Sequence, residues 1–369
     1  MQRPNYAKLY KAPKGYVQPE TEKLRHDTQH PNYNSLQYQL KPINRTPRIL
    51  KYYDSFSVNK NGVIALGCNE LTGRVWDGYV WGFENLQSLE MDVNTNSSLG
   101  VFKIHLDSNV TNVIFVDPKI FAVSQANGSV QIWSTQSENS STYCPLLIGA
   151  RKEHFGILLS MTTLNKNNLL VTGCSQGLLK VWDIGKGSLE SIHSMHNAHS
   201  DSITSISSCF NTESVFVTCS LDRSALIWDY RQQRPAMGIF ENHDIDLTAI
   251  HWCNVSEADN DLIYLGDAAG DAYMIDVKMP NKFLDKIEVH TRPITKFRFS
   301  GSKMAIIGET NMVRIYENRG KLAPDVMYEC IYTDSTATNM VRDALWNPQN
   351  SHELLSVGWD SKLHRHIVS

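Results

Sequence analysis

Val130-Gln131-Ile132-Trp133, Leu179-Lys180-Val181-Trp182-Asp183 and Ala225-Leu226-Ile227-Trp228-Asp229 are three versions of one phrase, alternating residues closed by tryptophan. The phrase returns in weaker form at Tyr273-Met274-Ile275-Asp276, Val313-Arg314-Ile315-Tyr316 and Leu363-His364-Arg365-His366. Its closing positions lie 49 residues apart from Trp133 to Trp182, then 46 to Trp228, 47 to Ile275, 41 to Tyr316 and 50 to His366. A second marker keeps the same period at His105, His154, His199, His243 and His290. Self-similarity at such a period signals a repeat architecture, in which each unit buries its apolar faces only by stacking on its neighbours.

Inside each unit the grammar is β. Ile203-Thr204-Ser205-Ile206 and Val215-Phe216-Val217-Thr218 alternate with period two, and Gly, Asn and Asp punctuate the chain about every ten residues. No stretch with helical periodicity and caps stands out, so no helix is expected. An early unit from Gly62 to Phe83, five His-marked units and a last one from Val341 to Ser369 make seven. The units resemble those of the WD-repeat family, whose repeat of ~40–45 residues folds as one four-stranded blade. The resemblance implies an all-β, seven-bladed WD-repeat β-propeller. The clearest unit carries His199, Ser220, Asp222 and Trp228, which match the family's buried, hydrogen-bonded structural set. Asn127 and Gln176 stand where Asp222 stands and Tyr316 replaces the tryptophan, so those blades should rest more on apolar packing.

The last unit ends three residues after His366, leaving no sequence for its outer strand. An N-terminal strand from within residues 36–50 is expected to close that blade and hide two sheet edges. Residues 1–35 carry Pro4, Pro13, Pro19 and Pro31 without periodicity and read as a flexible tail, with the propeller spanning residues 36–369.

Composition narrows the function. The 369 residues carry 35 Lys+Arg against 38 Asp+Glu, a net charge of −3, with 41% apolar and 20% charged residues. Such a chain is neither collagen-like, disordered nor supercharged, and it has no global field to draw it onto nucleic acid or anionic lipid. No membrane-spanning run or secretory leader is visible. The seven cysteines form no C-x-x-C pair, and Cys68, Cys174 and Cys219 sit in apolar strand-like runs. The reading is a reduced, intracellular protein of cytoplasm and nucleus.

No constellation carries catalysis, a metal or a cofactor. The recurring histidines fall in separate blades and cannot converge, while His193, His196 and His199, or His364 and His366, lack Cys or carboxylate partners at ligand spacing. Gly266-Asp267-Ala268-Ala269-Gly270-Asp271 lacks a Walker lysine and leads into a strand, so it reads as a turn rather than a phosphate loop.

One irregularity stands out. Gly173 to Trp182 and Cys219 to Trp228 each span nine positions, whereas Gly67 to Trp81 spans 14. The surplus should form an extended hairpin loop that carries Arg74 and Trp76 between Gly73 and Gly78, beyond the body of the blade. Trp and Arg are the residue types most enriched in binding hot spots. Leu71-Thr72-Gly73-Arg74-Val75-Trp76-Asp77-Gly78-Tyr79-Val80-Trp81 resembles the first-blade segment of the methylosome WD-repeat subunits, and the last unit, with Ser356-Val357-Gly358-Trp359-Asp360, is similar to theirs. That resemblance implies a non-catalytic scaffold which binds a type II protein arginine methyltransferase and presents Sm proteins and histones for symmetric dimethylation. It assigns partner binding to Leu71, Arg74, Trp76 and Asp77, with Tudor-domain readers of dimethylarginine as a further class of partner and no direct contact with nucleic acid or membrane. The alternative is a substrate receptor of a cullin-RING ubiquitin ligase, for which Trp228-Asp229-Tyr230-Arg231 offers a W-D-x-R string.

Overall fold

The computed structural model describes residues 49–72, 75–95, 100–136, 143–164, 168–185, 188–209, 212–232, 234–242, 244–254, 261–319 and 328–368. Among them seven antiparallel sheets follow one another, six of four strands and one of three. The first contains β1 (Ile49–Val58), β2 (Ile64–Thr72), β3 (Val75–Phe83) and β4 (Phe102–Leu106) in that order. The last holds Val341–Asn347, Asn350–Gly358 and Leu363–Ile367. The first strand of every sheet lines a central cavity of ≈ 770 Å³. This is the seven-bladed propeller that the repeat implies.

Strand composition follows position in the blade. All six residues of the second strand Leu169–Cys174 are buried, because a blade is covered on both faces by its neighbours. The outer strand Phe283–Glu288 alternates half-buried with exposed residues, as a rim strand must. Seven apolar clusters form the core, each between consecutive blades. The cluster between the last and first blades joins Leu355 and Val357 to Tyr53, Phe56, Leu66 and Phe83.

Inner strands present unpaired backbone groups, and side chains bridge them from blade to blade. Ser55 Oγ accepts the Val113 N–H (3.2 Å), Ser160 Oγ that of Ile206 (3.0 Å) and Ser207 Oγ that of Trp252 (3.0 Å). Asn112 Nδ2 donates to the Leu159 carbonyl and Thr248 Oγ1 to that of Ile294. At the last two junctions Asp343 takes over. Its buried carboxylate meets Lys296 (2.9 Å) and Arg298 (2.8 Å) on one side, and Ser55 Oγ (3.0 Å) and the Phe56 N–H (3.2 Å) on the other.

The expected closing strand is settled only in part. Ile49 and Leu50 belong to β1 and pair with Thr72 and Leu71 of β2 in the first blade, not with the last blade. The remaining candidates, residues 36–48, and the tail 1–35 lie outside the described residues. Among those described, side chains carry the closure. Asp54 Oδ1 accepts from the Trp359 indole (2.9 Å) and from Arg342 (3.1 Å), and the Ser361 hydroxyl donates to the Lys51 carbonyl.

The expectation of no helix is corrected by α1 (Leu86–Thr95), ten residues between β3 and β4. Asn85 caps it, its Oδ1 accepting the Ser88 N–H (2.9 Å), and Leu89 is fully buried in the cluster with Phe83 and Leu355. Leu86 and Leu89 are the two apolar residues that α1 sends into that cluster, too few to show a period in the sequence.

Candidate functional site

Blade four shows where a repeat tryptophan normally goes. Trp228 is 1% exposed, and its Nε1 donates to Thr218 Oγ1 (2.9 Å), which bonds His199 Nε2 (2.7 Å). His199 Nδ1 then donates to Asp222 (2.9 Å). The hydroxyl in this relay therefore belongs to Thr218, not to Ser220. Ser220 Oγ instead accepts the Asp222 N–H (3.0 Å) within the turn. Alternation explains the exchange: a residue two positions nearer the turn shares the face but not the depth of the indole. Burial alone would raise the Asp222 carboxyl, but hydrogen bonds from His199 and Ser224 hold it well below the usual carboxylate range.

Other blades keep fragments of the relay. In blade three Trp182 donates to Thr172 Oγ1 (2.8 Å) and Thr172 bonds His154 Nε2 (2.8 Å), but His154 Nδ1 is buried without a partner because Gln176 stands where Asp222 would. Burial, aided by Lys180, lowers the His154 pKa to about 3. In blade seven His366 takes the tryptophan's place and bonds Ser356 (2.8 Å), while His364 meets Asp360 (2.7 Å). His105, expected to belong to the histidine series, lies on β4 with its side chain 61% exposed, 3.5 Å from Asp77. It shares the period but not the structural position of the buried His154 and His199. His243 lies outside the described residues. Among the described residues no group of His, Cys, Asp and Glu could hold a metal ion.

Blade one places its surplus residues outward. The expected loop is in fact a lengthened ladder: β2 and β3 stay paired to Thr72↔Val75, leaving only Gly73 and Arg74 between them. Arg74 itself lies outside the described residues. Leu71 and Trp76 form a cross-strand pair on one face of this hairpin, while Asp77 opposes Glu70 on the other, beside His105. The structure thus joins Leu71 to Trp76 and separates Asp77 from both. Gly78 permits the hairpin's seat, since a Cβ there would lie 2.1 Å from the Ser108 carbonyl oxygen.

Trp76 is 46% exposed. Its ring lies 5.2 Å from that of Tyr52 on β1, and Tyr52 lies 5.7 Å from Trp359 of blade seven. Leu50, opposite Leu71, is also exposed. A ledge of Leu50, Tyr52, Leu71, Trp76 and Trp359 therefore crosses the junction that closes the ring. The sequence flagged Trp76 and Leu71; Tyr52 and Trp359 join them only through β1 pairing and ring closure. Beneath the ledge Asp54 binds Asn69 (2.6 Å) as well as Trp359 and Arg342, so the aromatic platform stands on a hydrogen-bonded base.

The family described as WD domain, G-beta repeat matches residues 189–229, the segment that ends in the complete relay of blade four. Protein valois of Drosophila melanogaster is 24% identical over 371 residues, covering 98% of each chain. Methylosome protein WDR77 of Xenopus laevis is 26% identical over 314 residues, 84% of this chain and 88% of that protein. The chain is similar to methylosome WD-repeat proteins over most of its length. A solved chain from the COPII outer coat vertex on membranes superposes with a TM-score of 0.68 at 15% identity, covering 87% of this chain and 85% of that one, and supports the propeller fold alone.

The W-D-x-R string has its own local explanation. Arg231 turns back onto Asp229, its Nε donating to both carboxylate oxygens (2.9 and 3.1 Å), so the guanidinium is already engaged.

Proposed function

We propose that this chain is a non-catalytic scaffold, in cytoplasm and nucleus, that holds a type II protein arginine methyltransferase on its first-blade hairpin. There it presents Sm proteins and histones for symmetric dimethylation, and Tudor-domain proteins are further candidate partners. The observation that carries the reading is Trp76: a large aromatic, 46% exposed, on a strand end paired with β2 and resting on the Tyr52 ring, in a chain similar to a methylosome protein. A fixed aromatic loses little conformational entropy on docking, so most of its buried area becomes affinity. Trp76 would fill an apolar cleft in the enzyme, with Leu71 beside it, while Arg74 meets a carboxylate or carbonyls; Asp77 on the opposite face would contribute through His105 rather than by contact.

The mechanism needs no chemistry from this chain. A substrate tethered to the ring reaches a raised effective concentration near the enzyme's active site. Copurification of the endogenous protein tests the assignment: a methyltransferase supports it, and a cullin adaptor in its place contradicts it. A kinetic assay tests the mechanism. Tethering predicts stimulation of full-length substrate methylation with little effect on a short free peptide, and equal stimulation of both contradicts it.

A further inference from the structure

A second surface differs from the Trp76 ledge in place and in charge. Phe155 is 93% exposed in the connection between the outer strand Tyr143–Lys152 and the inner strand Leu158–Leu164. Ile157 at 46% and Leu159 at 37% follow at every second position, and Leu159 reaches the wall of the central cavity. An apolar stripe therefore runs from the rim of blades two and three into the channel mouth. It is held in place: the Ile157 N–H donates to Ser175 Oγ (3.0 Å), and the Ser175 N–H donates to the Ile157 carbonyl (2.9 Å).

Two unmatched cations stand just before the stripe. Arg151 and Lys152, immediately upstream, are exposed and have no carboxylate partner among the described residues; Arg151 donates only to the Ala150 carbonyl. Lys180 already matches Glu153 (2.7 Å). The neighbouring turns carry Asn127 and Gln176 where blade four carries Asp222, which removes the counter-charge that a regular blade would supply. The same substitution leaves buried His154 Nδ1, beside Phe155, without a partner. Farther along the cavity wall Lys296 and Arg298 face the single carboxylate of Asp343.

We propose that Phe155, Ile157 and Leu159 form a docking site for an extended acidic segment of a partner protein. Its apolar side chains lie on the stripe and its carboxylates beside Arg151 and Lys152. Apolar area supplies the affinity, and the unmatched cations set orientation and rate of encounter. The site does not depend on the methyltransferase reading, since it uses other blades.

The test is to pan a phage-displayed random dodecapeptide library on the intact protein, then measure the enriched peptides by fluorescence anisotropy at two salt concentrations. The expected result is peptides with Asp or Glu around an aromatic or Leu, bound more weakly at high salt. Phe155→Ser, at a position too exposed to matter for folding, weakens binding by about tenfold or more. Neutralisation of both cations, Arg151→Gln with Lys152→Gln, flattens the salt dependence, and Trp76→Ala changes nothing. Failure to enrich any peptide, enrichment of basic sequences, or affinity indifferent to Phe155→Ser would overturn the proposal. So would competition for the site by a labelled single-stranded RNA.

Discussion

Trp228 of blade four and Trp76 of blade one lie on the same kind of strand in the same kind of sheet, yet one is 1% and the other 46% exposed. The difference lies in the hairpin before each. In blade four a short turn brings the indole against Thr218 and His199, where its N–H is satisfied and its ring fills the gap between blades three and four. In blade one the two strands continue past the level where other blades turn, and the indole rests on Tyr52 outside the core. Regular blades thus use their aromatic residue to hold the ring together; the irregular blade uses a second one to present a surface. The buried tryptophan holds blades together and the exposed one leaves the core untouched, so the stability of the ring and the binding proposed for blade one are separable by mutation.

The sharpest separation is Trp228→Ala. Loss of a fully buried indole should cost about 3–5 kcal/mol of stability, read as a lower urea midpoint, while the folded fraction keeps the affinity for the methyltransferase proposed to bind blade one. Asp222→Asn would make blade four resemble blade three by withdrawing the carboxylate from His199, a loss of about 1–3 kcal/mol. Acid should act on the histidines that burial keeps neutral. His154 is pushed down to about 3, His251, half-buried against the Phe299 ring and near Arg298, to about 3, and His366, where burial outweighs Asp334, to about 4. Between those values and the ordinary 6.5 the unfolded chain binds protons that the folded one refuses. Their contribution is thus intact above pH 6.5 and falls by up to about 1.4 kcal/mol per histidine per pH unit below it. Urea titrations at pH 7.5 and 5.0 measure the fall, and His154→Phe should reduce it. The smallest effect is a gain: Gln176→Asp offers His154 Nδ1 the acceptor that blade four has, adding about 0.5–1.5 kcal/mol at neutral pH.

The fold was legible because blade architecture repeats in the chain. The Trp and His periods placed five units, an early and a last unit completed seven, and period-two runs such as Val215–Ser220 placed their strands. What escaped depends on residues far apart in sequence or on register. Thr218 and Ser220 share a strand face, and only depth in the sheet chooses Thr218 as the relay hydroxyl. Asp54 and Asp343 join the two ends of the ring through partners 305 and 288 positions away, a relation no local pattern carries. For the candidate site, the count between Gly67 and Trp81 exposed the surplus, and Trp76 was legible from it. Whether that surplus was loop or ladder was not, because Thr72 and Val75 suit a strand as well as a turn's flank. Tyr52 and Trp359 became visible as neighbours only when the ring was closed.

Isothermal titration of the purified full-length chain, wild type against Trp76→Ala, with a type II protein arginine methyltransferase bears most directly on this division of labour. A dissociation constant raised by roughly 30- to 1,000-fold, about 2–4 kcal/mol, with an unshifted melting temperature is the outcome expected. Equal affinity of the two proteins, or a variant that melts earlier by as much as Trp228→Ala does, would contradict it.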